Sequence, residues 1–189
     1  MKSIRHNMEN TIIINKSKFI GIIYHVNDKV EIINILMDMK KRYGDATHIC
    51  YGYICGNLKK CSDDGEPSGT AGIPILNILE KNNLNYVLCI VVRYFGGIKL
   101  GASGLLRAYG NCVLECLKKC DIVSLEDGYK VRLYINYDNI KNIDMMLRDS
   151  NILYKEYNDT VIYEVLVSKK LYEELDCKKE IIDNVKISV

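Results

Sequence analysis

DDGEPSGTAGIP, residues Asp63 to Pro74, and VVRYFGGIKLGASGLLRAY, residues Val91 to Tyr109, decide how this chain is read. Together they hold seven of its 13 glycines and both prolines, a density foreign to an ordinary core helix or strand. Glycine reaches positive φ and lets backbone approach backbone or ligand closely. The first run opens with the carboxylates Asp63, Asp64 and Glu66, and the second carries Arg93, Lys99 and Arg107 with no acid. Two glycine-rich loops of opposite charge read as a constructed site. The expectation is that they face each other across one cleft, with Asp64 within reach of Arg93 or Arg107 and with His48 at the same place.

Around these runs the hydrophobic spacing predicts the framework. Leu84 to Val92 is a nearly continuous apolar stretch, as in a central strand, and Ala46 to Cys55 alternates as another. Ala102 to Lys119 reads as a helix with Cys112, Cys116 and Cys120 beside Leu105, Val113 and Leu117. Thr11–Ile14 and Ser17–Val26 read as strands around an Asn15-Lys16 turn. Asp28 caps a helix running to about Arg42, with Val30, Ile33, Leu36 and Met37 as its apolar positions. Periodicity alone carries this part no further than α+β. After Asp121 the pattern changes, and Glu126-Asp127-Gly128 reads as a linker. A strand (Tyr129–Ile135), a helix (Asp138–Asp149), a hairpin (Ile152–Tyr157, Thr160–Val167), a helix (Ser168–Lys179) and a strand (Asn184–Val189) follow. That order, βαββαβ, is the ferredoxin-like arrangement. The expected domains are therefore residues 1–125 and 126–189.

The net charge of +2 hides an asymmetry: residues 1–120 hold 16 Lys+Arg against 10 Asp+Glu, and residues 121–189 hold 10 against 14. A basic first part suits nucleic acid or ribosome contact, and scattered solvating lysines would give the same count. No apolar run of about 18 residues occurs, and MKSIRHNMEN lacks a signal-like apolar segment, so a cytoplasmic protein without membrane contact is expected. The eight cysteines are then reduced thiols.

Several groupings could carry chemistry. Asp63, Asp64 and Glu66 could hold a hard cation or supply a base, or they could be turn residues that accept backbone N–H bonds. Gly96, Gly97, Lys99, Gly101 and Ser103 precede or open a helix, the composition of a phosphate cradle, although neither the Walker A nor the Rossmann spacing is present. A tight strand-to-helix connection would use the same glycines. His48 and Cys50 share one strand face, which raises a nucleophile pair but more often marks structure; His48 is expected to hydrogen-bond Asp63 or Asp64. Cys112, Cys116 and Cys120 read as buried small apolar groups. No metal and no cofactor is expected.

Four stretches in order, KSKF (Lys16–Phe19), ATHICYGY (Ala46–Tyr53) and the two glycine-rich runs, resemble the YigZ/IMPACT family, and the last third resembles the small C-terminal domain of its bacterial members. Ile49 and Ser103 depart from the family pattern, where a polar residue and a glycine are usual, and Ser103 puts a side chain into the second loop. The resemblance implies that the N-terminal domain has the fold of domain 2 of ribosomal protein S5, shared with ribonuclease P protein, an elongation factor domain and the GHMP kinases. It implies a C-terminal domain similar to the last domain of the translocation elongation factor. Both folds recur in translation, and eukaryotic members are associated with translation under stress, although with a different additional domain. The functional expectation is a regulator of translation that binds RNA, the ribosome or a translation factor without turnover. Arg93, Lys99 and Arg107 would meet phosphate or an acidic partner. The alternative is a hydrolase or transferase acting on a phosphorylated or nucleotide substrate, with the carboxylates as base or metal ligands.

Overall fold

A computed structural model describes residues 1–188 as a mixed α/β protein with antiparallel sheets, in two compact units, Met1–Val123 and Ser124–Val189. After a short β1 (Lys2–Ile4), the first unit forms one sheet in the order β2 (Met8–Ile14), β3 (Ser17–His25), β6 (Val87–Tyr94), β4 (His48–Cys55), β5 (Leu58–Ser62). The β2–β3 hairpin closes over Asn15 and Lys16, both at positive φ (46° and 65°), as a two-residue turn requires. β6 is central. Its Val87, Cys89 and Val91 pack with α2 (Gly72–Lys81) and α3 (Gly101–Leu117), whereas Leu88, Ile90 and Val92 pack with α1 (Lys29–Arg42). Helices on both faces explain why this strand is apolar throughout instead of alternating.

Asp28 caps α1 by accepting from the Glu31 N–H at 2.8 Å. The buried stripe is not the one read from sequence: Ile32 and Met39 are buried with Ile35 and Leu36 beside them, while Val30, Ile33 and Met37 face solvent. Both stripes have helical spacing in a segment reading VEIINILM, so spacing could not choose between them. Sequence reading also passed over β5 and α2. Pro74 sits in the first turn of α2, where the missing N–H is unneeded, and the glycine-rich start read as loop.

In the second unit the strand order is β10 (Lys178–Ser188), β7 (Ile122–Ile135), β9 (Val161–Ser168), β8 (Asn151–Tyr157), all antiparallel. Val131, Leu133, Ile135, Val161, Tyr163, Val165 and Val167 form its core with Ile143 of α4 (Ile140–Met146), Leu147, and Leu175 after α5 (Lys169–Glu174). Glu126, Asp127 and Gly128 are not a linker; they lie inside β7, paired with Ile187, Lys186 and Val185. A Cβ on Gly128 would lie 2.6 Å from the Val167 carbonyl oxygen, so close strand approach, not flexibility, requires glycine there. The last strand begins six residues before the expected start, and Val189 lies outside the described residues. Among the described residues no helix is long and apolar enough to cross a membrane.

Candidate functional site

Asp63 follows β5 and folds the acidic run back onto the start of α2. Its Oδ1 accepts from the N–H groups of Ala71 (2.9 Å) and Gly72 (2.8 Å), and its Oδ2 accepts from Gly69 (2.8 Å). Burial pushes this carboxyl up, but the three backbone donors outweigh that and hold it below the ordinary carboxylate value. Asp64, at φ 44°, accepts from the Ile49 N–H at 2.7 Å, and its carbonyl accepts from His48 Nδ1 at 2.8 Å. The expected pairing of Asp63 or Asp64 with the arginines is therefore corrected: among the described residues backbone donors satisfy both carboxylates, and no ion pair joins either to Arg93 or Arg107. His48 meets the Asp64 carbonyl and not its carboxylate.

Glu66 is the acid that crosses the cleft. Its side chain is 3% exposed, its Oε1 accepts from Arg93 Nη1 (2.5 Å) and from the Tyr109 hydroxyl (2.8 Å), and its Oε2 lies 3.8 Å from His48 Nε2. Arg93 is buried at the end of β6 between the rings of Phe19 and Phe95, at 5.4 and 5.5 Å, and its Nε has no partner. Charge pairing and two aromatic faces offset the desolvation of this guanidinium. The Cys50 thiol lies 2.9 Å from the Asp63 carbonyl and 3.4 Å from the Tyr109 hydroxyl, and burial pushes it up to about 12. At neutral pH it is a thiol and not a thiolate, so the Cys50–His48 nucleophile has no activated sulfur.

The second glycine run is shaped by two different demands. A Cβ on Gly96 would come within 2.0 Å of the Lys16 backbone, and the Gly96 N–H donates to Ser17 Oγ, so this glycine docks the loop against the β2–β3 turn. Gly97 and Gly101 hold positive φ, 86° and 68°, in open space. α3 then starts with no side-chain cap and no acid in its first turn. Its opening residues Gly101 and Ala102 join His48, Glu66, Arg93 and Lys99 around a pocket of about 370 Å³ whose other walls include Thr47, Pro67, Phe95, Leu100 and Leu105.

Of the residues read from sequence, the structure thus brings His48, Glu66, Arg93, Lys99 and Gly101 together. Asp63 and Asp64 brace the acidic loop from behind. Gly96, Gly97, Ser103 and Arg107 lie outside the lining, and Ser103, expected to intrude, is exposed on the first turn of α3. Lys99 and Arg107 are exposed and, among the described residues, make no ion pair or side-chain hydrogen bond. Sequence reasoning missed Phe95 and Tyr109. An aromatic residue just past an apolar strand, and a tyrosine on the apolar arc of a helix, were the available signals. Cys112 and Cys116 are fully buried and Cys120 partly, and among the described residues no group of three His, Cys, Asp or Glu side chains could hold a metal ion.

The profile of the Impact N-terminal domain matches residues 15–117, which span β3, the acidic loop, the pocket and α3. The IMPACT family member YvyE of Bacillus subtilis is 40% identical over 167 residues, covering 86% of this chain and 77% of that protein. The IMPACT family member YigZ of Escherichia coli is 31% identical over 173 residues, covering 87% and 84%. A crystal structure described as that of a hypothetical protein aligns with a TM-score of 0.67 at 28% identity, over 92% of this chain and 87% of that one. The residues that build the pocket before α3 fall within the matched segment, and on that agreement of profile and full-length relatives the chain belongs to the IMPACT family.

Proposed function

We propose that this protein is a cytoplasmic regulator of translation that binds RNA, free or within the ribosome. The observation that carries this reading is the start of α3: free N–H groups, the positive end of a 17-residue helix and unpaired Lys99 converge at a pocket mouth. Arg107, also unpaired, extends the cationic surface along the same helix. The basic balance of residues 1–120 supports the same partner. We take the first unit as S5 domain 2-like and the second as ferredoxin-like. The element order βαββαβ and the strand order β10-β7-β9-β8 support the latter, and both folds recur in the translation machinery.

A second reading, a hydrolase or transferase for a phosphorylated or nucleotide substrate, draws on His48 Nε2 and Glu66 Oε2 facing each other in the pocket. Asp63 and Asp64, committed to backbone donors, leave that chemistry to these two groups. One experiment separates the readings. Binding of ribosomes and of single-stranded oligoribonucleotides is measured between 50 and 200 mM salt for the wild type and for Lys99→Ala combined with Arg107→Ala. RNA binding predicts affinity that falls steeply with salt in the wild type and a log–log slope shallower by about one to two units in the variant. Unchanged binding and slope sink the RNA reading. Ribosome binding that survives nuclease treatment moves the partner to a translation factor, and consumption of a metabolite by the purified protein favours the enzyme.

A further inference from the structure

The pocket lining brings Glu66 Oε2 and His48 Nε2 to 3.8 Å, and with a neutral His48 ring both are hydrogen-bond acceptors. Glu66 Oε1 is taken by Arg93 and Tyr109, but Oε2 accepts no hydrogen bond among the described residues and faces His48 Nε2 at 3.8 Å. His48 Nδ1 donates to the Asp64 carbonyl, so the neutral ring keeps its lone pair on Nε2. A doubly protonated ring would instead make Nε2 a donor at ion-pair distance from Oε2, so the two-acceptor edge belongs to the neutral ring. The Glu66 side chain is 3% exposed, yet Oε2 is not a fully buried atom and stays open to a donor that enters the pocket. The rest of the lining includes the apolar Pro67, Leu100, Leu105 and Phe95, a residue 46% exposed whose ring lies against the partly unpartnered Arg93 guanidinium. A volume of about 370 Å³ falls within the range of sites for small ligands.

We infer that this pocket takes one unpaired guanine base, whose N1–H and N2 amino group donate to Glu66 Oε2 and His48 Nε2 while its ring stacks on Phe95. The inference rests on the RNA reading above and adds what the site selects. Two adjacent acceptors require two adjacent donors, and only guanine carries them side by side on its Watson–Crick edge. Uracil flanks its N3–H with two carbonyl oxygens. Adenine and cytosine set a ring nitrogen lone pair beside the amino group, so each brings acceptor against acceptor. A cationic ligand is disfavoured by Arg93, Lys99 and the positive end of α3. The same Lys99 and the open N–H groups of α3 suit the phosphate next to the captured base, which positions the strand without reading it. Splaying out a base, stacking it on an aromatic ring and reading its Watson–Crick edge is how single-stranded RNA is recognised by sequence.

The test changes the RNA first, so it does not depend on a variant folding. Anisotropy titrations compare short oligouridylates carrying at one central position guanosine, 7-deazaguanosine, inosine or an abasic site. Guanosine and 7-deazaguanosine, with the same donor edge, should bind equally. Inosine, which lacks the N2 amino group, should bind roughly 10- to 100-fold more weakly, and the abasic strand at least as weakly as inosine. Phe95→Ala should shrink the guanosine-to-abasic ratio by roughly 5-fold or more, whereas Lys99→Ala should weaken all four strands alike. Equal affinity for guanosine, inosine and abasic strands overturns the base pocket and leaves RNA binding standing. Equal affinity for guanosine and inosine with a weaker abasic strand overturns the donor-edge assignment. Absence of salt-dependent binding to any strand overturns both the pocket assignment and the RNA reading.

Discussion

Asp63→Asn removes one charge and changes the outline of the side chain very little, which makes it the sharpest probe of how the acidic loop is held. Three backbone N–H groups point at the carboxylate, two at Oδ1 and one at Oδ2, all within 2.8–2.9 Å. The best amide orientation keeps its oxygen on Ala71 and Gly72 and turns its NH2 onto the Gly69 N–H, donor against donor. One charge-assisted bond is lost, about 1.5–3 kcal/mol. The two surviving bonds lose their charge assistance, and the start of α2 loses an anion worth about 0.3–1 kcal/mol. For a half-buried side chain the sum is about 3 kcal/mol, a large part of the usual 5–15 kcal/mol stability of a domain. Urea titration should show a lower midpoint with an unchanged slope, and amide exchange at Ile90 and Val92 in β6 assigns the loss to the first unit. The pH dependence fixes the cause. The folded carboxyl lies below its unfolded value, so its contribution is complete above about pH 5 and fades as pH falls through about 4 toward the folded value. Asparagine does not titrate, so the gap between the two proteins should narrow on acidification. A loss under about 1 kcal/mol, or a gap that stays constant down to pH 3, would refute the reasoning.

Gly96→Ala should cost about 3 kcal/mol or more, because its Cβ meets backbone that cannot yield, whereas Gly97→Ala, with no atom within 4 Å and φ 86°, should cost only about 1–2 kcal/mol; thermal melts of the pair check this. Arg93→Met leaves the buried Glu66 carboxylate without its cation and should cost about 3–5 kcal/mol, much of it recovered by adding Glu66→Gln; a double-mutant cycle without coupling would disprove the pairing. Burial pushes Cys50 and Cys112 up to about 12, so alkylation at pH 8 followed by mass spectrometry should label the partly exposed Cys61, Cys120 and Cys177 first; early labelling of Cys50 would show that its strand is not closed over it.

Local signals in the chain identified much of the fold. The Asn15-Lys16 turn and the Asp28 cap depend on neighbours in sequence and are found where they were expected, and the apolar run read over Leu84–Val92 forms the central β6, shifted to Val87–Tyr94. What failed depended on partners distant in the chain. The exposed stripe of α1 and its buried stripe have the same period, and only packing against β4 separates them. Glu126-Asp127-Gly128 has turn composition, yet β10, about sixty residues on, recruits it into a strand. At the site, sequence located both loops but mispaired their charges. Counting acids and arginines could not reveal that backbone N–H groups would satisfy Asp63 and Asp64, leaving Glu66 to Arg93.

Two helices begin at this site and are finished differently. α2 has its end closed from within by Asp63, while α3 has its end left open beside Lys99. Ser103 occupies the third helical position of α3, where a glutamate side chain would favour the helix start. A carboxylate there would stabilise α3 by about 0.3–1 kcal/mol and would occupy the same electrostatic niche as an incoming anion. Under the proposed function, selection for ruggedness alone would silence the site by self-occupancy. On the RNA reading, the open end of α3 is a stability–activity trade-off written at a single side chain, in which the protein would forgo its own anion so that another molecule's could be accepted.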